Sequence, residues 1–113
     1  MTNDPLLLER LRTILNAKQT KWTEKKMIGG DCFMVDDKMC FGTYKGGLMV
    51  RINPGEAMVL GIRKGASAMV LGGKTMKGYI FVEPAGYEID ADLLFWIEKC
   101  LEFNPLAKSS KKK

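Results

Sequence analysis

Residues 31–53 read DCFMVDDKMCFGTYKGGLMVRIN, and this stretch decides the fold. Two turn signals cut it into three apolar runs. Asp36-Asp37-Lys38 is a polar turn between 31–35 and 39–44, and Gly46-Gly47 is a hairpin signal between 39–44 and 48–53. In the last run Leu48, Val50 and Ile52 fall on one face, and Met49, Arg51 and Asn53 on the other. Strands joined by turns this short are antiparallel neighbours.

Working upstream, residues 23–28 form a further strand that leads into a turn or bulge at Gly29-Gly30. Before it, Asp4 and Pro5 open a helix over 5–18, Asp4 as a cap and Pro5 where a missing N–H costs nothing. Leu7, Leu11, Ile14 and Leu15 recur at helical spacing and give it one apolar stripe. Downstream, Asn53-Pro54 begins a second helix, expected over 54–64 with Gly65 as its stop. Two more strands, 67–71 and 78–83, are joined by Gly72-Gly73-Lys74-Thr75. Asp90 is expected to cap a last helix that ends near Phe103, because Pro105 disfavours helix at Asn104. Its inward positions are Leu93, Leu94, Ile97, Cys100 and Leu101, with Trp96 on the flank. The order predicts an α+β domain in two layers. It has one antiparallel sheet of about five to six strands, packed with about three helices. The domain spans 1–107, and 108–113 reads as a disordered lysine-rich tail.

A chain of 113 residues supports one domain. At this size about 65% of the unfolded surface is buried on folding, enough for one core. The chain has no His, so Ser-His-Asp and Cys-His nucleophile pairs and His-built zinc sites are excluded. The net charge of +5 suggests nucleic acid until it is located. Lys108, Lys111, Lys112 and Lys113 carry four of the 18 basic residues, which leaves 14 against 13 acidic residues in 1–107. The body is therefore nearly neutral, and the tail is a solubilising segment with a salt-sensitive attraction to polyanions. Cys32, Cys40 and Cys100 are odd in number and lack C-x-x-C spacing, so buried free thiols are expected, a Cys32–Cys100 pair being the one alternative. No signal-peptide pattern and no membrane-length apolar run occurs, which predicts a cytoplasmic protein.

Ala68 to Thr75 (AMVLGGKT) fits a loose phosphate-loop pattern, but strand residues stand where the loop should be, and a strand rather than a helix follows. It reads as a hairpin. Met34, Met39, Met49 and Met69 fall inside strands, which favours packing over a Met-lined binding groove. The pairs Asp36/Asp37 and Asp90/Asp92 read as turn and cap residues. Arg51, inside an apolar strand, is an edge residue, a partly buried ion-pair partner, or the anchor of an anionic ligand. Arg63, Lys64, Lys74 and Lys77 flank the last two strands without interleaved aromatics, so a solvated loop surface is the simpler reading.

In order along the chain, several segments carry a resemblance. They are Lys25-Lys26-Met27-Ile28-Gly29-Gly30, Met39–Gly42 (MCFG), Leu48–Arg51 (LMVR), Gly73–Gly78 (GKTMKG) with Tyr79–Pro84, and Asp92–Ile97 with Phe103 and Pro105. Together they resemble the N-terminal domain of the TfoX/Sxy family, with Ile28 where an aromatic is usual. The resemblance implies a small α+β domain with no assigned cofactor or catalytic residue. The family takes its name from regulators of bacterial natural competence that act with a cyclic-AMP receptor protein on gene expression. Those regulators carry a second, helical domain, whereas a lysine tail stands here, so a stand-alone N-terminal-like domain is expected.

The expected function is a non-enzymatic regulatory or adaptor domain that binds another protein, in bacterial transcription or competence-type regulation. One alternative is a nucleic-acid binder using the tail lysines with Lys74 and Lys77. Another is a small anionic-ligand protein or an unrecognised enzyme, with Arg51 holding the anion. No cofactor and no membrane contact is expected, and a homodimer through a sheet edge or helix face is compatible with the sequence. The interaction or structural-motif residues singled out are Gly29, Gly30, Arg51, Lys74, Lys77, Gly78 and Trp96.

Overall fold

The computed structural model describes residues 5–27 and 30–107. The expected Asp4 cap, Gly29 and the tail lysines lie outside the described residues. Six strands form one open antiparallel sheet: β1 (Thr23–Met27), β2 (Gly30–Val35), β3 (Lys38–Tyr44), β4 (Gly47–Arg51), β5 (Ala66–Leu71) and β6 (Lys74–Val82). Their spatial order is β1-β2-β3-β4-β6-β5. Three helices accompany the sheet: α1 (Pro5–Ala17), α2 (Ala57–Leu60) and α3 (Asp90–Phe103). The two-layer α+β expectation is met.

Both faces of the sheet are packed, by different chemistry. One face meets the helices. Leu7, Leu11 and Leu15 of α1 and Leu93, Trp96, Ile97 and Cys100 of α3 bury against Phe33, Phe41, Leu48, Val50, Ile80 and Val82. Phe33 and Phe41 stack there at 5.0 Å between ring centroids. The other face gathers Cys32, Met34, Met39, Met49 and Met69, with Tyr44, Met76, Tyr79 and Phe81 packed around them. The four strand methionines thus fill a second small core, as their positions suggested. Flexible thioethers suit a face that strand side chains alone must seal.

Two irregularities aim these side chains. Phe33 pairs with Phe41 but Met34 pairs with Met39, so Cys40 is an extra residue on β3. This bulge puts Cys40 and Phe41 together in the helix-side core while Met39 turns to the methionine face. On β6, Ala68 pairs with Ile80 and Val70 with Thr75, which leaves Met76, Lys77 and Gly78 as extra residues. Gly78 has φ +82, and its carbonyl accepts the Ile52 N–H at 2.8 Å. A Cβ there would sit 3.1 Å from Pro54 Cγ and 3.2 Å from the Ile52 carbonyl, so the turn-like backbone and the close approach both call for glycine.

Several expectations need correction. The second helix does not span 54–64: a 3₁₀ turn at Pro54–Glu56 is followed by one α-helical turn, Ala57–Leu60. The segment carries Gly55, Gly61 and Gly65, and only Leu60 is buried, so neither propensity nor packing sustains a longer helix. Asn53 does cap, accepting the Gly55 N–H at 2.9 Å. Asp90 does not: Ile89 occupies the cap position without a side-chain bond, and Asp90 instead pairs with Arg10. Trp96 is not on the flank. It is 1% exposed, because Leu93, Trp96, Ile97 and Cys100 form the inward stripe and Leu94 is rotated to the rim, 37% exposed. Cys32 and Cys100 cannot pair, since they belong to the cores on opposite faces of the sheet.

Candidate functional site

A groove of about 590 Å³ lies between α1 and α3. The two helices lie side by side because Arg10 reaches across. Its guanidinium donates to the Tyr87 carbonyl and to Asp90 Oδ1, each at 2.9 Å. At the other end Lys18 Nζ meets Glu98 Oε2 at 3.0 Å. Between these ties Ile14, Ala17, Leu93 and Leu94 form an apolar floor. Glu9, Arg10, Lys18 and Asp90 make a rim of both signs. Exposed Leu6 and Ile89 belong to the same two helical segments, extending the apolar character beyond the groove. From Glu9 to Lys18 the groove follows α1 for about 14 Å, some two and a half helical turns. Such a groove can take a short apolar stripe with charges beside it.

The residues singled out from sequence do not converge on this groove. Arg51 is not an edge residue: β4 is an interior strand, and Arg51 is half-buried. Its guanidinium donates to the Met39 carbonyl at 3.4 Å and lies 5.7 Å from the Tyr79 ring centroid, at the border of the methionine face. Neither the α1–α3 groove nor the clefts beside it take Arg51 into their lining. Gly30 opens β2, where the chain runs so close to β3 that a Cβ would overlap the Thr43 carbonyl. The Asp31 N–H then donates to Thr43 Oγ1 at 2.9 Å. Lys74 follows the Gly72-Gly73 turn, and Lys77 sits in the extra stretch of β6. Both are exposed. Ala68 to Thr75 is the β5–β6 hairpin, so the phosphate-loop pattern is a turn. Arg63 turns to α3, with Cζ 3.8 Å from the Phe95 ring centroid and a longer contact to Asp92.

A structural ion pair ties α1 to β1. Arg12 donates to both Glu24 oxygens at 2.8 and 2.9 Å. That bond holds the Glu24 carboxyl below its usual range, with help from Trp22 Nε1–H. Asp36 and Asp37 form the β2–β3 turn, each with positive φ. Among the described residues, no cluster of three or more His, Cys, Asp or Glu is placed to hold a metal ion.

The fold favours the protonated form of two buried thiols, Cys32 and Cys100. Burial pushes the Cys32 thiol up to about 11. Burial, then the neighbouring Cys40 thiol, raises Cys100 well above its ordinary value. Alkylation of native protein at mildly alkaline pH is therefore expected to be slow, and to occur at the rate at which the domain opens. Intact-mass timing of iodoacetamide uptake, with and without urea, checks this. Rapid labelling without urea would contradict it.

Sequence reasoning missed the groove. Its signal was present only as the surplus apolar residues Ile14 and Leu94 at the margins of two amphipathic stripes. No described helix is long and apolar enough to cross a membrane. In comparison with known proteins, the model of the TfoX N-terminal domain matches residues 15–104. No curated protein and no solved structure matches the chain. The matched span runs from the end of α1 through all six strands to the end of α3, so the segments that carried the resemblance lie on one continuous fold. The chain belongs to the TfoX N-terminal domain family.

Proposed function

We propose that the protein is a non-enzymatic adaptor in bacterial transcription or competence-type regulation, and that it works by binding a helix of a transcription protein in the α1–α3 groove. The observation that carries this reading is the groove itself, an apolar floor about two and a half turns long with Glu9 at one end and Lys18 at the other. That shape and charge suit an amphipathic helix whose N-terminal end lies toward Glu9 and whose C-terminal end lies toward Lys18, matching its dipole to the rim. Membership in the TfoX N-terminal domain family supports the regulatory setting.

The test uses purified RNA polymerase and cyclic-AMP receptor protein from the encoding organism, each immobilised and titrated with the full chain. Leu94→Lys places a charge on the groove floor at a side chain that the core does not need. Binding by the wild type that falls about tenfold or more in the variant is the expected result. Equal binding by both would move the contact elsewhere. Binding that is lost with residues 108–113 and fades with salt would place the contact on the lysine tail instead of the groove.

A further inference from the structure

We infer that the outer edge of β5 is a homodimer interface, where two copies pair β5 to β5 antiparallel about a two-fold axis and join their sheets. The inference does not depend on the groove.

The sheet has two edges, β1 and β5, and they are built differently. β1 reads TEKKM, and its exposed Glu24, Lys25 and Lys26 discourage pairing, as charges on natural edges do. A two-fold axis through Lys25 would set that lysine against its own copy. β5 reads ASAMVL, with no charge and no proline, and Ser67, Ala68 and Val70 are exposed. An uncharged edge of this kind is a template for another strand.

The ladder fixes which backbone groups point outward. The Glu83 N–H donates to the Gly65 carbonyl at 2.8 Å, so positions 65 and 67 face β6. By antiparallel alternation the N–H and C=O of Ala68, and then of Val70, point away from the sheet. The Ala66 N–H is taken by the Arg63 carbonyl at 2.9 Å, while its carbonyl points outward by the same alternation. A two-fold axis through Ala68 satisfies this set. Each Ala68 bonds the partner's Ala68 in both directions, and each Val70 N–H meets the carbonyl of the partner's Ala66. The small side chains at 66 and 68 let the strands approach.

A second observation points the same way. Met58, Val59, Ile62 and Val70 are 87%, 68%, 84% and 51% exposed. The first three lie on α2 and the turn that delivers the chain into β5, on the helix side of the sheet. Pairing about a two-fold axis normal to the sheet keeps both helix layers on one side, so these apolar residues face their symmetry mates across the new seam. A foreign extended peptide would cover the backbone edge but leave this shelf exposed.

The test is sedimentation equilibrium of the full chain over a micromolar concentration series. It is accompanied by amide exchange at Ala68 and Val70 by NMR. Expected are a monomer–dimer equilibrium and protection of both amides that grows with concentration. Val70→Lys should weaken the dimer about tenfold or more, and should leave the melting temperature unchanged at concentrations where both chains are monomeric, since the side chain lies outside both cores. Ala68→Pro removes an outward N–H and should do the same. If it unfolds the domain, Val70→Lys still decides. A wild type that stays monomeric, or a dimer indifferent to Val70→Lys, overturns the inference.

Discussion

Trp96→Ala is expected to destabilise the domain by about 3–5 kcal/mol, the largest effect of any single side-chain truncation here. The indole is 1% exposed and belongs to the core between α3 and the sheet. It meets Phe95 edge-to-face at 5.4 Å, and Arg63 lies over the pair. Truncation leaves a cavity that cannot collapse easily, because the sheet behind it is fixed by strand pairing. A fall in melting temperature of roughly 15 °C should accompany it in a chain of this size. Trp96→Phe keeps much of the volume and should cost far less. Urea unfolding followed by circular dichroism measures both. A loss under about 1 kcal/mol for the alanine variant would return Trp96 to the surface.

Gly30→Ala is the second large effect, expected to cost about 3 kcal/mol. The added methyl would overlap the Thr43 carbonyl, which is backbone and cannot rotate away. β2 and β3 would have to separate at a point where the Asp31 N–H also bonds Thr43 Oγ1. Gly46→Ala is the matched control. A Cβ there meets nothing within 4 Å, and only the positive φ of 78° resists it. Its cost should be nearer 1 kcal/mol. Comparable losses for the two variants would show that conformational strain, not close approach, governs Gly30.

Much of the fold was legible in the sequence because its signals are local. The alternation of Leu48, Val50 and Ile52 against Met49 and Arg51 placed β4 correctly, and all three of the first set are fully buried. The turns at Asp36–Lys38 and Gly46-Gly47 gave the hairpins. What was not legible depends on partners distant in sequence. The extra residue at Cys40 exists only relative to the β2 register, and the three at Met76–Gly78 only relative to β5. The inward face of α3 was rotated because Leu94 and Trp96 are both apolar, and only the position of α1 decides which is covered. The length of α2 followed from tertiary contact, since only Leu60 found a core to join.

The candidate site was less legible than the fold. Of the residues singled out among the described ones, Gly30 and Gly78 shape the backbone and Trp96 fills the core. Arg51 lies on the far side of the sheet from the groove. A groove between two helices is a property of their spacing, set here by Arg10 bonding to Tyr87 and Asp90 some 80 positions away. No local pattern encodes that reach.

The most direct measurement of the proposed function is hydrogen exchange across the whole chain, with and without saturating RNA polymerase and cyclic-AMP receptor protein. New protection should be confined to peptides from α1 and the first turns of α3, and Leu94→Lys should abolish it. Protection centred instead on Lys74–Gly78, or protection that survives Leu94→Lys unchanged, would contradict the assignment of the α1–α3 groove.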